Sequence, residues 1–405
     1  MKYVQLSDVC DLQNGYAFKS TDYVEKSDTC NIRMSNIRPG GNFNEFHNER
    51  YLPDSYAKEY KEYLLNDGDL IIAMTDMATE TKILGLPTLV NNTTGRNFLL
   101  NQRVGKLCKF SNDIYVPYLR YILTAQQVID YYKSKGAGGL QINISKKDIL
   151  SVKFPLPSLP AQNKIVAKLD AIFTEIDIAT AAAEANANNA EALFQSYLNE
   201  VFDKQTKEYK NVTVGEVCSI INGGTPKSEV SEYWNGDLNW ITPKEMGKLI
   251  GREIYSTERK ITDKGMKNSS AKLLPINSII LSSRAPIGHL AINKELMATN
   301  QGCKGLAPKE SLDYEYLYYF LLKSKRLLND MGSGTTFKEL SGTKLATVIL
   351  PLPNISIQKN TVSKLDMIFG QVQIAKTSFK IKQSNLTLLK QAILQRAFSG
   401  ELVKD

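Results

Sequence analysis

The softest metal ligands and strongest nucleophiles in this 405-residue chain are two histidines, His47 and His289, and five cysteines, Cys10, Cys30, Cys108, Cys218 and Cys303. Their spacing builds neither a zinc site nor a disulfide framework: the cysteine count is odd, and no Cys-x-x-Cys occurs. Reduced core thiols are the expected state. No Asp/Asn-Pro-Pro-Tyr/Phe methyltransferase signature, no Gly-x-x-x-x-Gly-Lys-Ser/Thr phosphate loop and no His-Glu-x-x-His appears. What remains is polar and cationic. Fifty Lys and Arg against 42 Asp and Glu leave a net charge of +8, which suits a nucleic-acid partner but is shared by many unrelated proteins. No apolar run reaches the eighteen residues of a membrane span. The opening Met1-Lys2-Tyr3-Val4-Gln5-Leu6 lacks a signal-peptide core, so a cytoplasmic location is expected.

The side chains that do recur belong to a doubled frame. Phe154-Pro-Leu-Pro-Ser-Leu-Pro-Ala-Gln-Asn-Lys-Ile-Val-Ala-Lys-Leu-Asp-Ala-Ile-Phe173 returns 196 residues later as Leu350-Pro-Leu-Pro-Asn-Ile-Ser-Ile-Gln-Lys-Asn-Thr-Val-Ser-Lys-Leu-Asp-Met-Ile-Phe369, with ten of twenty positions identical. Fainter echoes extend the repeat. Val4 to Cys10, followed by Asn14-Gly15, matches Val212 to Cys218, followed by Asn222-Gly223. Asn101-Gln102 matches Asn300-Gln301, and Gly136-x-Gly138 matches Gly332-x-Gly334. The offset drifts from 208 to 196 across the globular stretches and is constant in the segments after Pro-Leu-Pro. Length is fixed in one segment type and free in the other.

After each Pro-Leu-Pro the apolar residues follow a three-four rhythm, which predicts two long helices with a coiled-coil seam. The seam is placed on Ile165, Leu169, Ile172, Ile176, Leu193 and Tyr197 in the first copy. In the second it falls on Leu365, Ile368, Val372, Leu386, Leu389 and Ile393. Ser158 and Asn354 are the expected N-caps. Each helix should run about 40 residues, roughly 60 Å. Residues 151–205 carry net −3 and residues 351–405 net +5, so unlike charge favours pairing of the two different helices, although solvated faces with incidental charge remain an alternative. Residues 1–150 and 206–350 read as mixed α/β, with short strands such as Asp69 to Met74 and Ser278 to Ser282 between Gly-, Asn- and Pro-rich loops. Tyr118 to Tyr132 and Tyr316 to Leu328 have helical spacing, and their rings are read as core.

Two divergent globular halves, each followed by Pro-Leu-Pro…Gln…Lys-Leu-Asp…Ile-Phe, resemble the specificity subunits of type I restriction–modification systems, the HsdS family. The run from Leu389 to Leu402 and the phrases Asn222-Gly-Gly-Thr-Pro-Lys227, Trp240-Ile-Thr-Pro-Lys244, Ser283-Arg-Ala-Pro-Ile-Gly288 and Ala298-Thr-Asn-Gln-Gly302 strengthen the likeness. The resemblance implies target recognition domains at 1–150 and 206–350, of α/β (α+β) class, separated by two long antiparallel coiled-coil helices within 151–205 and 351–405, with pseudo-twofold symmetry. Each domain would read half of an asymmetric bipartite duplex DNA site. The helices would set the spacer and dock two modification subunits, with two restriction subunits where the system cleaves. No cofactor is expected in this chain; S-adenosylmethionine, ATP and Mg would belong to the partners, which would methylate a flipped adenine.

On that resemblance, phosphate contacts are assigned in the second domain to Lys227, Lys244, Lys248 and Lys304, and base reading to Arg284 or Gln301; Trp240 and Thr242 join the set through their phrase. In the first domain the set is Lys19, Arg33, Asn36, Arg38, Arg96, Gln102 and Arg103. Arginine can grip guanine bidentately and Asn or Gln adenine. A solvated surface role competes at every one of these positions, and Asn101-Gln102 and Asn300-Gln301 equally suit a structural turn. A protein-binding scaffold and an enzyme in its own right are the rival classes.

Overall fold

The computed structural model describes residues 2–284, 286–334, 338–399 and 401. Ala285, within the Ser283 to Gly288 phrase, and Gly400 and Leu402, at the end of the C-terminal phrase, lie outside the described residues. The chain divides into two compact units, Met1–Ala182 with Ile381–Asp405, and Ala183–Lys380.

In the first unit a four-stranded antiparallel sheet runs in the order Pro87–Leu89, Leu70–Ala73, Val104–Cys108, Asp11–Asn14. Leu70, Ile71, Ile72 and Ala73 are all buried, because this strand is covered on both faces. A second sheet orders Tyr51–Leu52, Thr29–Ile32, Asn97–Leu100 and Leu64–Leu65, its central pair parallel. The second unit repeats this frame. Its five-stranded sheet runs Cys218–Asn222, Cys303–Pro308, Ile279–Ser282, Leu290–Asn293, Glu253–Ile254, and its smaller sheet pairs Trp234–Ile241 in parallel with Met297–Thr299.

Each predicted mid-domain helix is two helices. Val116–Leu123 and Gln126–Lys135 break at Thr124, whose hydroxyl donates to the Tyr121 carbonyl at 2.7 Å. Tyr314–Lys323 and Lys325–Met331 break at Ser324. Short hydroxyl side chains compete for backbone groups and favour such interruptions.

Pro-Leu-Pro closes each domain on its own beginning. Lys153–Leu156 pairs antiparallel with Lys2–Gln5, and Ile349–Pro351 with Asn211–Thr213. Then the long helices start, Leu159–Glu208 and Ile355–Phe398. Asn354 caps the second, its Oδ1 accepting from the Ile357 amide at 3.0 Å. In each unit the two helices lie antiparallel. Ile165, Val166 and Leu169 share the first core with Leu394, Ala397 and Phe398, and Asp177 pairs with Lys390 at 2.5 Å. Phe194, Leu198 and Phe202 share the second core with Val372, Leu365 and Val362, and Glu191 pairs with Lys376.

The seam differs from its expected positions. Ile165, Leu169, Ile176, Leu365 and Val372 are buried, and Ile172, Tyr197, Ile368, Leu386 and Ile393 are half-buried. Leu193 is 72% exposed and Leu389 45% exposed, their places taken by the next residues of the core, Phe194 and Leu394. The cause is a third partner. Phe194 packs edge-on against Tyr319 and tilted against Phe369, and Phe202 tilted against Tyr316 and edge-on against Phe320. The domain, not only the facing helix, selects which side is buried. Leu193→Ser should therefore change stability by no more than about 0.5 kcal/mol, whereas Phe194→Ala should cost about 3 kcal/mol. Urea unfolding of the two variants measures both, and the reverse order would restore the heptad register.

Candidate nucleic-acid interface

The parallel strand pair brings distant loops to one edge of each domain. In the first unit Ile32 and Leu100 are paired and end together, so Arg33 and the turn Asn101-Gln102-Arg103 follow side by side; the Asn101 amide donates to the Ile32 carbonyl at 3.0 Å. Gly15 lies so close that a Cβ there would meet the Asn101 carbonyl oxygen at 2.2 Å. In the second unit Asn300 donates to the Ile241 carbonyl at 2.8 Å, and a Cβ on Gly223 would come within 2.0 Å of the Asn300 oxygen. The Asn side chains close their own turns: Asn101 Oδ1 accepts from the Arg103 amide at 3.2 Å, and Asn300 Oδ1 from Gly302 at 2.8 Å. Both sequence echoes, Asn-Gly and Asn-Gln, thus have a structural cause. The asparagines build the turn, and Gln102 and Gln301 project from it, exposed.

Around the second turn the distant phrases converge. Asn300 Nδ2 donates to Thr225 Oγ1 at 2.9 Å, which brings in the loop leading to exposed Lys227. A Cβ on Gly302 would touch Pro243 at 3.2 Å and the Arg284 side chain at 3.7 Å. Thr242 caps the short helix Pro243–Met246 by accepting from the Glu245 amide at 3.3 Å, with Lys244 exposed beside it. Arg284 pairs with Glu339 at 3.0 Å and remains half-exposed. Lys248, also exposed, pairs with Glu258 at 3.2 Å.

Two expected contacts in this unit are not on the surface. Trp240 is 1% exposed; its indole N–H donates to the Gly224 carbonyl at 2.9 Å and its ring packs edge-on against Trp234. Lys304 is 7% exposed, and burial pulls its ammonium pKa down, partly offset by Glu339, with Arg284 nearby adding to the lowering. It lines a pocket of about 610 Å³ with Asn222, Glu339 and Ser341.

In the first unit Lys19, Gln102 and Arg103 are exposed and Arg38 is half-exposed. Asn36 is buried and spent on the fold, its Nδ2 donating to the Asn44 carbonyl at 3.0 Å and its Oδ1 accepting from the Arg33 amide at 2.9 Å. Arg96 is likewise committed. It pairs with Glu49 at 2.8 Å and with Glu45 at 3.5 Å, and lies against the rings of Phe46 and Tyr51. Arg33 is half-buried, donating through Nη2 to the Asn48 carbonyl at 2.9 Å.

The residues not singled out from sequence are those that fasten each domain to its helix. Gln162, fully buried, accepts from the Tyr115 amide at 2.8 Å and donates to the carbonyls of Asp113 and Pro157. Gln358 does the same with Asp313, Ser311 and Pro353. Asp170 accepts from the Tyr121 hydroxyl, and Phe173 packs edge-on against that ring. Asp366 accepts from Tyr319 at 2.5 Å and from Arg252, and Phe369 packs against Tyr319. Their signal was present, because Gln, Leu, Asp and Phe are among the ten identities of the repeat.

Among the described residues no group of three or more His, Cys, Asp or Glu is placed to hold a metal ion, and no helix is long and apolar enough to cross a membrane. The five cysteines are free; burial pushes the Cys10, Cys218 and Cys303 thiols up to about 12 and Cys30 to about 11.

The family model for the type I restriction modification DNA specificity domain matches the chain twice, at residues 1–186 and 206–383. The MjaIX specificity subunit of Methanocaldococcus jannaschii is 38% identical over 165 residues, 40% of this chain and 38% of that protein. The EcoR124I/EcoR124II specificity subunit of Escherichia coli is 31% identical over 228 residues, 53% of this chain and 55% of that protein. The matched stretches thus span between about four-tenths and a little over half of those relatives. A solved structure concerned with complex assembly and conformational transition of the type I R-M system has a chain similar in fold, with TM-score 0.74 at 23% identity, covering 99% of this chain and 98% of that one.

Proposed function

Because this chain belongs to the type I restriction modification DNA specificity family, we propose that it is the recognition subunit of a type I complex and reads a bipartite duplex site, one half-site per domain. The supporting observation is the doubled turn. Each domain presents an exposed glutamine, Gln102 or Gln301, on an asparagine-closed turn flanked by cationic side chains from separate loops. An edge assembled from loops can vary in sequence without disturbing the sheets behind it. Amide and guanidinium groups are the side chains that discriminate adenine and guanine edges.

The long helices serve as the ruler that fixes the spacer and as the dock for two modification subunits, joined by two restriction subunits in a cleaving complex. S-adenosylmethionine, ATP and Mg act on those partners, and this chain supplies recognition without chemistry of its own. The work takes place in the cytoplasm. Genome-wide mapping of methyladenine in cells with and without this gene tests the reading. A gained asymmetric two-part motif is the expected result; no change in methylation when the modification partner is expressed would defeat it. A protein-binding scaffold would fail to bind duplex DNA with a steep salt dependence.

Within that reading Arg284 is assigned to bases and Gln301 beside it shares the edge. Arg284→Ala should weaken binding to one half-site by about tenfold, within the 1–3 kcal/mol of a bidentate pair, and leave the other half-site preference intact. A uniform loss across sequences with a shallower salt slope would move Arg284 to phosphate.

A further inference from the structure

We propose that Arg33, Arg50 and Arg103 form an oxyanion pocket beside Asn31 in the first unit, which seats one phosphodiester of the bound DNA; this deepens the recognition reading and rests on it. Strand geometry assembles the three. Thr29–Ile32 runs antiparallel to Tyr51–Leu52, with the Asn31 amide donating to the Arg50 carbonyl at 2.8 Å, so Arg50 enters where Arg33 leaves. The parallel partner Asn97–Leu100 delivers Arg103 to the same edge. Burial is the largest influence on the half-buried Arg33 and disfavours its cation; Tyr23 acts the other way, and the nearby Arg50 and Arg103 add to the effect of burial. Three acids near Arg50 in sequence are already engaged: Glu49 by Arg96, Glu45 by Arg96, Thr93 and Thr94, and Asp54 by the Thr29 hydroxyl and the Asp28 amide.

Three buried polar atoms at this edge have no hydrogen-bond partner among the described residues: Arg33 Nε, Asn31 Oδ1 and Ser35 Oγ. Asn31 is 2% exposed, and its Nδ2 donates to the Tyr23 hydroxyl at 2.8 Å. Since that hydroxyl can donate as well as accept, the amide can turn its nitrogen toward an anion. A base edge occupies one guanidinium. Three guanidiniums with a hydroxyl and an amide instead match the several oxygens of a phosphate, with charge-assisted bonds to Nε and the free Nη groups.

The second unit shows the same frame closed. Trp240 stands where Asn31 does, its amide donating to the Arg259 carbonyl at 3.2 Å as Asn31 donates to Arg50. The indole fills the place, and the Arg259 guanidinium lies 4.0 Å from the Trp234 ring and 5.0 Å from that of Trp240. Thr242 and Gly302 occupy the positions of Arg33 and Arg103. One stacked arginine replaces three.

The test uses the full chain, a mixed-sequence 40-bp duplex and sodium sulfate. Arg33→Gln and the exposed Arg103→Gln should each flatten the plot of log affinity against log salt by about one unit, a loss about 3.5-fold smaller than wild type between 50 and 200 mM salt. The double variant should change the slope no further, because one phosphate is shared. Unchanged slopes, or changes that add, overturn the pocket while leaving DNA recognition in place. At matched ionic strength sulfate should raise the Tm of the wild type relative to chloride by more than it raises that of Arg103→Gln, whose rise measures the general salting-out effect. That excess in a chain that binds no duplex would overturn the phosphodiester occupant and the recognition reading together, and keep only a free-anion site.

Discussion

Replacing Gln358 with alanine is expected to destabilise the second unit by roughly 3 kcal/mol, because one buried backbone group, and two partly buried ones, lose a partner worth about 1–3 kcal/mol where the group is buried and less where water reaches it. The Asp313 N–H and the Ser311 and Pro353 carbonyls all turn to this one side chain, at 2.8, 3.0 and 2.7 Å. Asp313 is also the N-cap of Tyr314–Lys323, its Oδ1 accepting from the amides of Glu315 and Tyr316. The residue therefore joins three things: the end of Pro-Leu-Pro, the start of the long helix, and the cap of the helix on which that long helix packs. Both tryptophans of the chain, Trp234 and Trp240, lie in this unit, so the midpoint of the tryptophan fluorescence transition in urea reads the loss directly. Gln358→Glu keeps an acceptor for Asp313 but turns a carboxylate oxygen toward the two carbonyls in a fully buried site, so near neutral pH it should be at least as destabilising as alanine. A loss below about 1 kcal/mol for alanine would mean that water replaces the amide at this site.

Gln358 also shows which part of the architecture could be read from the sequence. Its identity with Gln162 across 196 residues is plain, as is the identity of the Lys-Leu-Asp and Ile-Phe that follow. Repetition reveals that a position matters but not what it touches, and the partners of Gln358 lie 45 and 47 residues back in a different element. The coiled-coil register has a related cause. Leu193 and Phe194 are neighbouring apolar residues, and a seven-residue rule fitted to a two-helix seam favours the first. The aromatic face formed by Tyr316, Tyr319 and Phe320 requires the second, because Phe194 and Phe202 are eight apart and both turn to that face. Charge was the more transferable signal. The expected pairing of an acidic with a basic helix appears as Asp177 with Lys390 and Glu191 with Lys376, one pair in each unit.

The candidate interface was less legible, and Trp240 shows why. A tryptophan inside a recognisable loop phrase, with Thr, Pro and Lys following after Ile241, has the composition of a contact surface. Its strand, however, has a parallel neighbour on one side and Lys260–Ile261 on the other, and the ring points into a cluster with Ile261, Ala271 and Ala298. Arg33 was named from the same kind of loop; it is half-buried at the edge, in the position that Thr242 holds in the second unit.

Trp240→Ala should accordingly act through folding. Losing the indole from a fully enclosed site costs about 3–5 kcal/mol, and the Gly224 carbonyl, whose bond from the indole is 2.9 Å, adds about 1 kcal/mol when left bare. The sum, about 5 kcal/mol, should unfold much of the second unit at 37 °C and remove recognition of its half-site altogether. Trp240→Phe separates this from a base contact. The phenyl ring retains much of the buried area and an aromatic face beneath Arg259, and forfeits the N–H and part of the indole's volume, for a loss of about 2–3 kcal/mol. If Trp240 is core, the phenylalanine variant, once shown folded by circular dichroism, should under the proposed function direct methylation by the modification partner to the same sequence motif as wild type. A folded Trp240→Phe protein with an altered or relaxed second half-site would instead place the indole edge on the DNA, and the buried position found for it would have to open when the duplex binds.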